Sequence, residues 1–424
     1  MQTLAIIGTG IAGLGCAYFL REHFDLTIYE QNDYAGGHTN TIIVDEYGHA
    51  IPIDTGFMVF NHVTYPNLTR LFRELAVETK PTSMSFSVQH VPTKLEYNGG
   101  SLDLLFGQRR NLFRPRHWRM LAQINRFNAE ALLALADTRV AEYTLRDYVA
   151  ERGYGEDMLN FYLVPMSSAV WSTPPEKMLD FPAMTLLRFW HNHGFLGLRT
   201  QHPWFTVAHG AKSYVEKITA LLSERVKLPS AVTQITRSGG KARVTSQDGN
   251  TRAFDKVILA CHADQSLALL ADPTEMETRL LRQFRYQPNT ATLHTDCAFM
   301  PRTKRCWASW NYRLDAGPDG QVQPTTHYWM NSLQGVSRNR NYFVSLNAHD
   351  RIAPEKVQRR IEYEHPLFDL AAIRAQQELP QLNRLAPEQT TYYAGAWFKY
   401  GFHEDGFTSA LECARAVTGE PIWS

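Results

Sequence analysis

Residues 4–30 constrain this chain more tightly than any other stretch. Leu4-Ala5-Ile6-Ile7 reads as a buried strand, Gly8-Thr9-Gly10-Ile11-Ala12-Gly13 follows at once, and an apolar helix runs on through Leu20. Leu26-Thr27-Ile28-Tyr29 is a second strand, closed by Glu30. Each glycine has a separate task. Gly8 permits the tight turn, Gly10 lets backbone approach a pyrophosphate, and Gly13 lets the helix pack close to the sheet. The helix N-terminus offers unpaired N–H groups and positive potential to phosphates. The Glu30 carboxylate is placed to accept hydrogen bonds from both hydroxyls of a ribose. A lone glycine motif is weak evidence, but strand, spacing and acid agree here, and they predict a dinucleotide site.

The rest of the composition narrows the partners. With 43 Lys and Arg against 42 Asp and Glu, the charge is nearly balanced, which argues against a nucleic-acid partner. The five cysteines (Cys16, Cys261, Cys297, Cys306 and Cys413) are scattered with no CxxC pair. They indicate neither a zinc site nor a disulfide framework and fit a reducing cytosol. The apolar N-terminus lacks the basic start of a signal peptide, and no run reaches the length of a membrane span. A cytoplasmic protein, at most peripheral on a membrane, is expected.

At 424 residues the chain is long enough for two domains or for one domain with large insertions. Thr41 to Asp54 alternates like a hairpin turning at Tyr47-Gly48, and Leu68, Leu71, Phe72 and Leu75 mark an amphipathic helix. From about Ser83 to Leu198 the pattern reads as mostly helical. Nucleotide-domain character returns near Val207, with a helix from Lys212 to Val226, short strands joined at Gly239-Gly240, and the buried parallel strand Lys256-Val257-Ile258-Leu259-Ala260. Strand-like segments at 290–295, 307–312, 326–330 and 342–346 suggest a second, antiparallel sheet. Thr391 to Gly395 is a strand entering a glycine turn, and 401–406 leads into a terminal helix. The predicted class is α/β: a discontinuous Rossmann-like domain built from 1–75, 206–272 and 389–424. It is interrupted by a mainly helical cap at 76–205 and a sheet-bearing substrate domain at 273–388.

Gly36-Gly37, six residues past Glu30, extends the opening motif into the form typical of FAD-binding flavoproteins. The segment order resembles the flavin-containing amine oxidase superfamily, which includes monoamine oxidases, phytoene desaturases and protoporphyrinogen oxidase. The stretches 54–61, 84–88, 307–312 and 401–406 look like one subgroup, the predicted FAD-dependent oxidoreductases associated with cyclopropane fatty acid synthases. The resemblance implies non-covalent FAD. Ile11, Ala12 and Gly13 would meet its pyrophosphate, and Glu30 with Gln31 its adenosine ribose. Gly36, Gly37 and His38 would approach the flavin phosphate and ribityl chain. Thr55, Gly56 and Phe57 would border the isoalloxazine, and Val232 the adenine. Asp405, Gly406 and Phe407 would face the flavin N1–C2=O edge. Three positions depart from the family pattern: His38 stands where arginine is usual, Gly395 is followed by Ala396-Trp397 instead of an acid, and the strand at 289–295 lacks the lysine common in amine oxidases.

The expected chemistry is hydride transfer from an apolar substrate, a lipid acyl chain, to flavin N5. An amine or polyamine oxidase is the alternative enzyme, and a non-catalytic FAD-binding partner of a lipid methyltransferase is the alternative of a different kind. No second GxGxxG suggests an NAD(P)H domain. His403 is the candidate base; the bland reading makes it a loop histidine bonded to a carbonyl. Glu404 reads as a cap, and Trp397, Trp310 and Tyr312 as pocket or core. His191 and His193, two apart on a helix, point to different faces and predict no metal. Between Leu104 and Phe127 stand Arg109, Arg110, Arg114, Arg116, Arg119 and Arg126 with no acid, interleaved with Leu112, Phe113, Trp118 and Met120. That segment suits an anionic membrane surface, or is a solvated helix face over an apolar seam.

Overall fold

The computed structural model describes residues 1–197, 200–317, 322–386 and 389–423. The opening unit forms as its sequence dictates. Strands Thr3–Ile7 and Asp25–Tyr29 pair in parallel around helix Ile11–Leu20, nearly all of whose residues are buried. The complete parallel sheet has the order Val226–Lys227, Asp25–Tyr29, Thr3–Ile7, Lys256–Leu259, Thr391–Tyr393. Its strands come from three distant parts of the sequence. The helix His403–Thr418 packs on helix Ile11–Leu20 where both are slim: a β-carbon on Gly15 would lie 2.8 Å from that of Ala410.

A seven-stranded sheet forms the second body of the molecule. Its order is Val357–Leu367, Arg285–His294, Phe343–Leu346, Val322–Trp329, Trp310–Ala316, Phe86–His90, Leu95–Asn98, antiparallel except where Trp310–Ala316 meets Phe86–His90. This corrects the helical reading that began at Ser83: the hairpin 86–98 is sheet, and Thr79–Thr82 pairs with Trp204–Val207. Helices of the cap run between Leu102 and Asn192, and the end expected at Leu198 lies outside the described residues, as does the boundary at 388. The helix expected to reach Val226 stops at Leu222, because Ser223 turns to a positive φ and Val226–Lys227 joins the parallel sheet.

Two buried polar knots fix this frame. The Asp54 carboxylate accepts from the Ala211 N–H (2.9 Å), Gln334 Nε2 (2.6 Å) and the Thr41 hydroxyl, tying the hairpin Thr41–Asp54 to both later segments. Burial pushes it up to about 6. Inside the large sheet, Ser345 Oγ lies 2.6 Å from His294 Nε2 and 2.6 Å from His327 Nδ1. His294 Nδ1 accepts from the Asp296 N–H and His327 Nε2 meets Thr325 Oγ1, so both rings are satisfied as neutral imidazoles. Among the described residues, no helix is long and apolar enough to cross a membrane.

Candidate active site

A cavity of about 970 Å³ opens where the carboxyl ends of the parallel strands meet the seven-stranded sheet. Its first lobe is glycine-lined. Gly8 takes φ +103°, and a β-carbon on Gly13 would stand 1.9 Å from the Gly8 carbonyl oxygen. Gly13 therefore sits behind the wall as the contact that lets helix and turn approach. Gly10 meets nothing within 4 Å, so any side chain there would project into the open cradle. No side chain caps helix Ile11–Leu20, and the N–H groups of Ile11 and Ala12 face the cavity without intrahelical partners. Gly36 and Gly37, at φ +121° and +58°, bring the second glycine turn against the first, with Gly37 only 3.1 Å from the Gly10 α-carbon measured to its missing β-carbon.

At the far end of this lobe lie Glu30, Gln31, Ser230 and Val232. Glu30 is already engaged. Its Oε2 accepts from the Thr9 N–H (2.9 Å) and hydroxyl (2.5 Å), and its Oε1 from the Asn32 N–H (2.9 Å) and Nδ2 (3.0 Å). A ribose would take hydrogen bonds from this carboxylate in exchange for the Thr9 hydroxyl or the Asn32 amide, with the backbone donors holding it in place. The cradle, the uncapped helix and the oriented acid together fit a flavin dinucleotide.

Thr55, Gly56 and Phe57 line the middle of the cavity. Gly56 is held 2.1 Å, measured to an added β-carbon, from the His38 carbonyl oxygen, and Thr55 Oγ1 bonds the Asn40 carbonyl and Tyr363 Oη, each at 2.8 Å. Gly395 lines it too, its N–H given to Ser409 Oγ at 2.8 Å. Trp397 covers Gly395 and donates to the Cys261 carbonyl at 3.2 Å. Trp310 also reaches the wall, whereas Tyr312 is core.

The start of the terminal helix departs from expectation. Phe402 and His403 face the cavity, but Asp405, Gly406 and Phe407 do not line it. The helix begins at His403, so the next residues turn inward toward helix Ile11–Leu20. Asp405 accepts from the Phe402 N–H at 2.9 Å, and burial pushes it up to about 7. Gly406 packs against Ile11, and Phe407 against Phe19 and Trp423. Glu404 caps a neighbour, accepting from the N–H groups of Asn67 (3.0 Å) and Leu68 (2.9 Å).

His403 stacks on Phe57 (centroids 3.8 Å, 13°), and its Nε2 meets Thr39 Oγ1 at 2.8 Å and Tyr214 Oη at 3.2 Å. Burial lowers it to about 3. An imidazole held this way is a neutral hydrogen-bonding group that fixes Phe57, and a weak base at neutral pH. Cys261 is the one cysteine among the described lining residues, and burial pushes its thiol up to about 11.

The second lobe is greasy. Met58, Val59, Met84, Phe189, Trp204, Trp310, Tyr328 and Leu346 lead away from the glycine turns. Among the described lining residues no lysine or arginine occurs, and the acids are Glu30, Glu362 and Glu364. Sequence reasoning missed Tyr363 and His365, carried on the unexpected strand Val357–Leu367, and His262, just past the parallel strand Lys256–Leu259. The alternation Ile361, Tyr363, His365 against Glu362 and Glu364 was the available signal.

Comparison with known proteins agrees with this geometry. The family model described as flavin containing amine oxidoreductase matches residues 11–418. A search of curated proteins gives no match. Among solved structures, the CLA-producing fatty acid isomerase from P. acnes superposes with a TM-score of 0.66 at 17% identity, covering 96% of this chain and 97% of that one. Cyclohexylamine oxidase from Brevibacterium oxydans IH-35A gives 0.68 at 15% identity over 99% of both chains. A putrescine oxidase bound to putrescine gives 0.67 at 14% identity, covering 99% of this chain and 98% of that one. These likenesses show a shared fold.

Proposed function

We propose, for a chain that belongs to the flavin containing amine oxidoreductase family and is an FAD-dependent oxidoreductase, that its substrate is an apolar molecule, a lipid acyl chain. FAD, when bound, supplies the acceptor for a hydride taken from a substrate C–H bond. The observation that carries the reading is the second lobe, whose wall is aromatic and aliphatic and adjoins the Phe57–His403 pair. Such a wall orients a chain by shape and excludes water, and the eight side chains named for it are uncharged. Thr39 and Tyr214 hold the His403 ring, and that ring holds Phe57. That one structural neighbour is a fatty acid isomerase supports the acyl reading. Anaerobic mixing tests it. The purified flavoprotein is expected to bleach on adding dispersed acyl lipid and to keep its colour with putrescine or a monoamine. Bleaching by the amine alone would establish the second reading, which the amine-oxidase neighbours favour. A stable colour with every substrate, together with a tight complex with a lipid methyltransferase, would make the flavin structural.

The cap carries a surface suited to the same substrate. Arg109, Arg116 and Arg126 are paired with Asp103, Asp157 and Glu130, which leaves less free charge than the sequence suggests. Arg110 and Arg114 reach only the neutral oxygens of Lys94 and Asn111 in their hydrogen bonds, and Arg119 is exposed. Beside them Phe113 is 86% and Trp118 51% exposed, with Leu102 and Leu112 adjoining. Cations around protruding aromatic rings match an anionic bilayer surface. In flotation with vesicles rich in anionic phospholipid, wild-type protein is expected to rise with the lipid. Changing Arg110, Arg114 and Arg119 to Glu removes about 1 kcal/mol each, so affinity should fall at least 100-fold. Unchanged flotation of that variant would end the docking idea.

A further inference from the structure

A flavin dinucleotide brings two negative phosphates into a cavity whose described wall has no lysine or arginine and three glutamates. The uncapped N-terminus of helix Ile11–Leu20 meets part of that charge with neutral N–H groups, and no described lining side chain of fixed positive charge adds to it. The groups able to become cationic are histidines, and three of them gather beside the glycine cradle. His38 directly follows Gly37, which touches Gly10. His262 follows Ala260-Cys261, whose backbone borders Gly8. The His38 ring lies 5.3 Å from His365 and 6.5 Å from His262, centroid to centroid, and is stacked on Tyr363 at 4.8 Å. His262 is stacked on Tyr286 at 4.1 Å.

Their hydrogen bonding is incomplete in a way that points to a ligand. His262 Nδ1 has Glu364 Oε2 at 3.4 Å as an ion-pair contact and makes no better-formed hydrogen bond. His365 Nδ1 is 2.9 Å from Asn289 Nδ2, an N–H donor, which leaves its Nε2 as the hydrogen-bearing atom. We propose that His38, His262 and His365 form a titratable cation site for the cofactor diphosphate, so that FAD binding draws protons from solvent onto this cluster.

Without the phosphates, burial lowers all three histidines, and repulsion from neighbouring rings adds to it at His38 (from His365, His262 and His403) and at His365 (from His262). Asp264 and Glu364 oppose this at His262, and the Glu364 backbone carbonyl at His38. Other titratable neighbours are Cys261, Tyr286, Tyr363, Glu362 and, across the cradle, Glu30. A dianion held in the adjoining glycine cradle would reverse the balance. Because adjacent imidazolium rings repel, the cluster gains about one proton, shared, rather than three.

Calorimetric titration of the apoprotein with FAD near neutral pH, in two buffers of different ionisation enthalpy, reads that proton directly. Uptake approaching one proton per FAD is expected, with FAD affinity falling by up to about tenfold per pH unit as pH rises through neutrality. ADP-ribose, which has the diphosphate and no flavin, should show the same uptake, and riboflavin none. His38→Arg, with a permanent cation, should bind FAD with a flatter pH dependence and less uptake. Binding without proton exchange, or uptake unchanged in a His38→Gln/His262→Gln/His365→Gln variant, would overturn the assignment. Failure of FAD to bind at all would instead overturn the cofactor reading.

Discussion

Gly13→Ala is expected to yield a protein that purifies without flavin. The new β-carbon would stand 1.9 Å from the Gly8 carbonyl oxygen and 2.9 Å from its carbon, so the added methyl meets backbone and cannot be relieved by a rotamer change. Helix Ile11–Leu20 must move off the turn by an ångström or more. Gly8, at φ +103° and donating its N–H to the Tyr29 carbonyl at 2.8 Å, is tied in place and does not follow. The N–H groups of Ile11 and Ala12 then lose their aim at the cradle. Hydrogen bonds to a charged group are worth about 1.5–3 kcal/mol each, so losing two weakens FAD binding by at least about 100-fold. Gly10→Ala is the informative contrast, because its β-carbon meets nothing within 4 Å. That variant should keep its melting temperature and lose affinity only by intruding on the ligand. Flavin-to-protein absorbance and titration of the apoprotein with FAD read both. A Gly13→Ala protein with full flavin content would refute the account of the cradle.

Acid should destabilise the protein well before its carboxylates titrate as a group. Burial lowers His193 and His294 to about 4 and His403 to about 3. In the unfolded chain each reverts to about 6.5. Below that value the unfolded state binds protons that the folded state refuses, so stability is lost as pH falls from about 6.5 toward 4. Each of the three gives up about 2 kcal/mol by about pH 5, and His327 acts in the same direction. Asp405 and Asp54 oppose them. Their folded values are raised to about 7 and about 6, so burial of the charged forms costs stability at high pH, and that cost is relieved as pH falls. At about pH 5 they return about 3 and about 1 kcal/mol. The balance favours unfolding by a few kcal/mol, a drop of roughly 2–4 °C in melting temperature for a chain of this size. Melting curves from neutral pH downward will show it. A melting temperature that holds or rises between about pH 7 and about pH 5 would refute the neutral-histidine assignment.

The cradle was legible in the sequence because its geometry is local. Gly8, Gly10, Gly13 and Glu30 lie within one strand–helix–strand unit, where a turn and a pleat place them without help from the rest of the chain. The same holds for the hairpin Thr41–Asp54 and for the strand Lys256–Leu259 with its unbroken apolar run. What escaped detection depends on distant partners. Phe86–His90 alternates as a strand and forms a local hairpin with Leu95–Asn98, but its place in the large sheet comes from parallel pairing with the distant Trp310–Ala316. His365 reaches the cavity because Val357–Leu367 pairs with Arg285–His294 over its whole length. The terminal helix shows a finer failure. Its existence was plain, but which face of the first turn meets the cavity depends on where the helix starts, and that placed Phe402 and His403, rather than Asp405 to Phe407, on the wall.

The interleaved parallel sheet has a consequence for how the molecule is made. The edge strand Thr391–Tyr393 and the helix that buttresses the glycine turn emerge from the ribosome long after the turn itself. A nascent chain therefore carries its nucleotide-gripping turn unfinished, with apolar surface exposed, until residues 391–418 have been made. Holdase chaperones have most to grip in that interval, and a stop codon that removes everything from residue 391 onward would leave every signature motif of the opening turn intact in a protein unable to retain its yellow pigment.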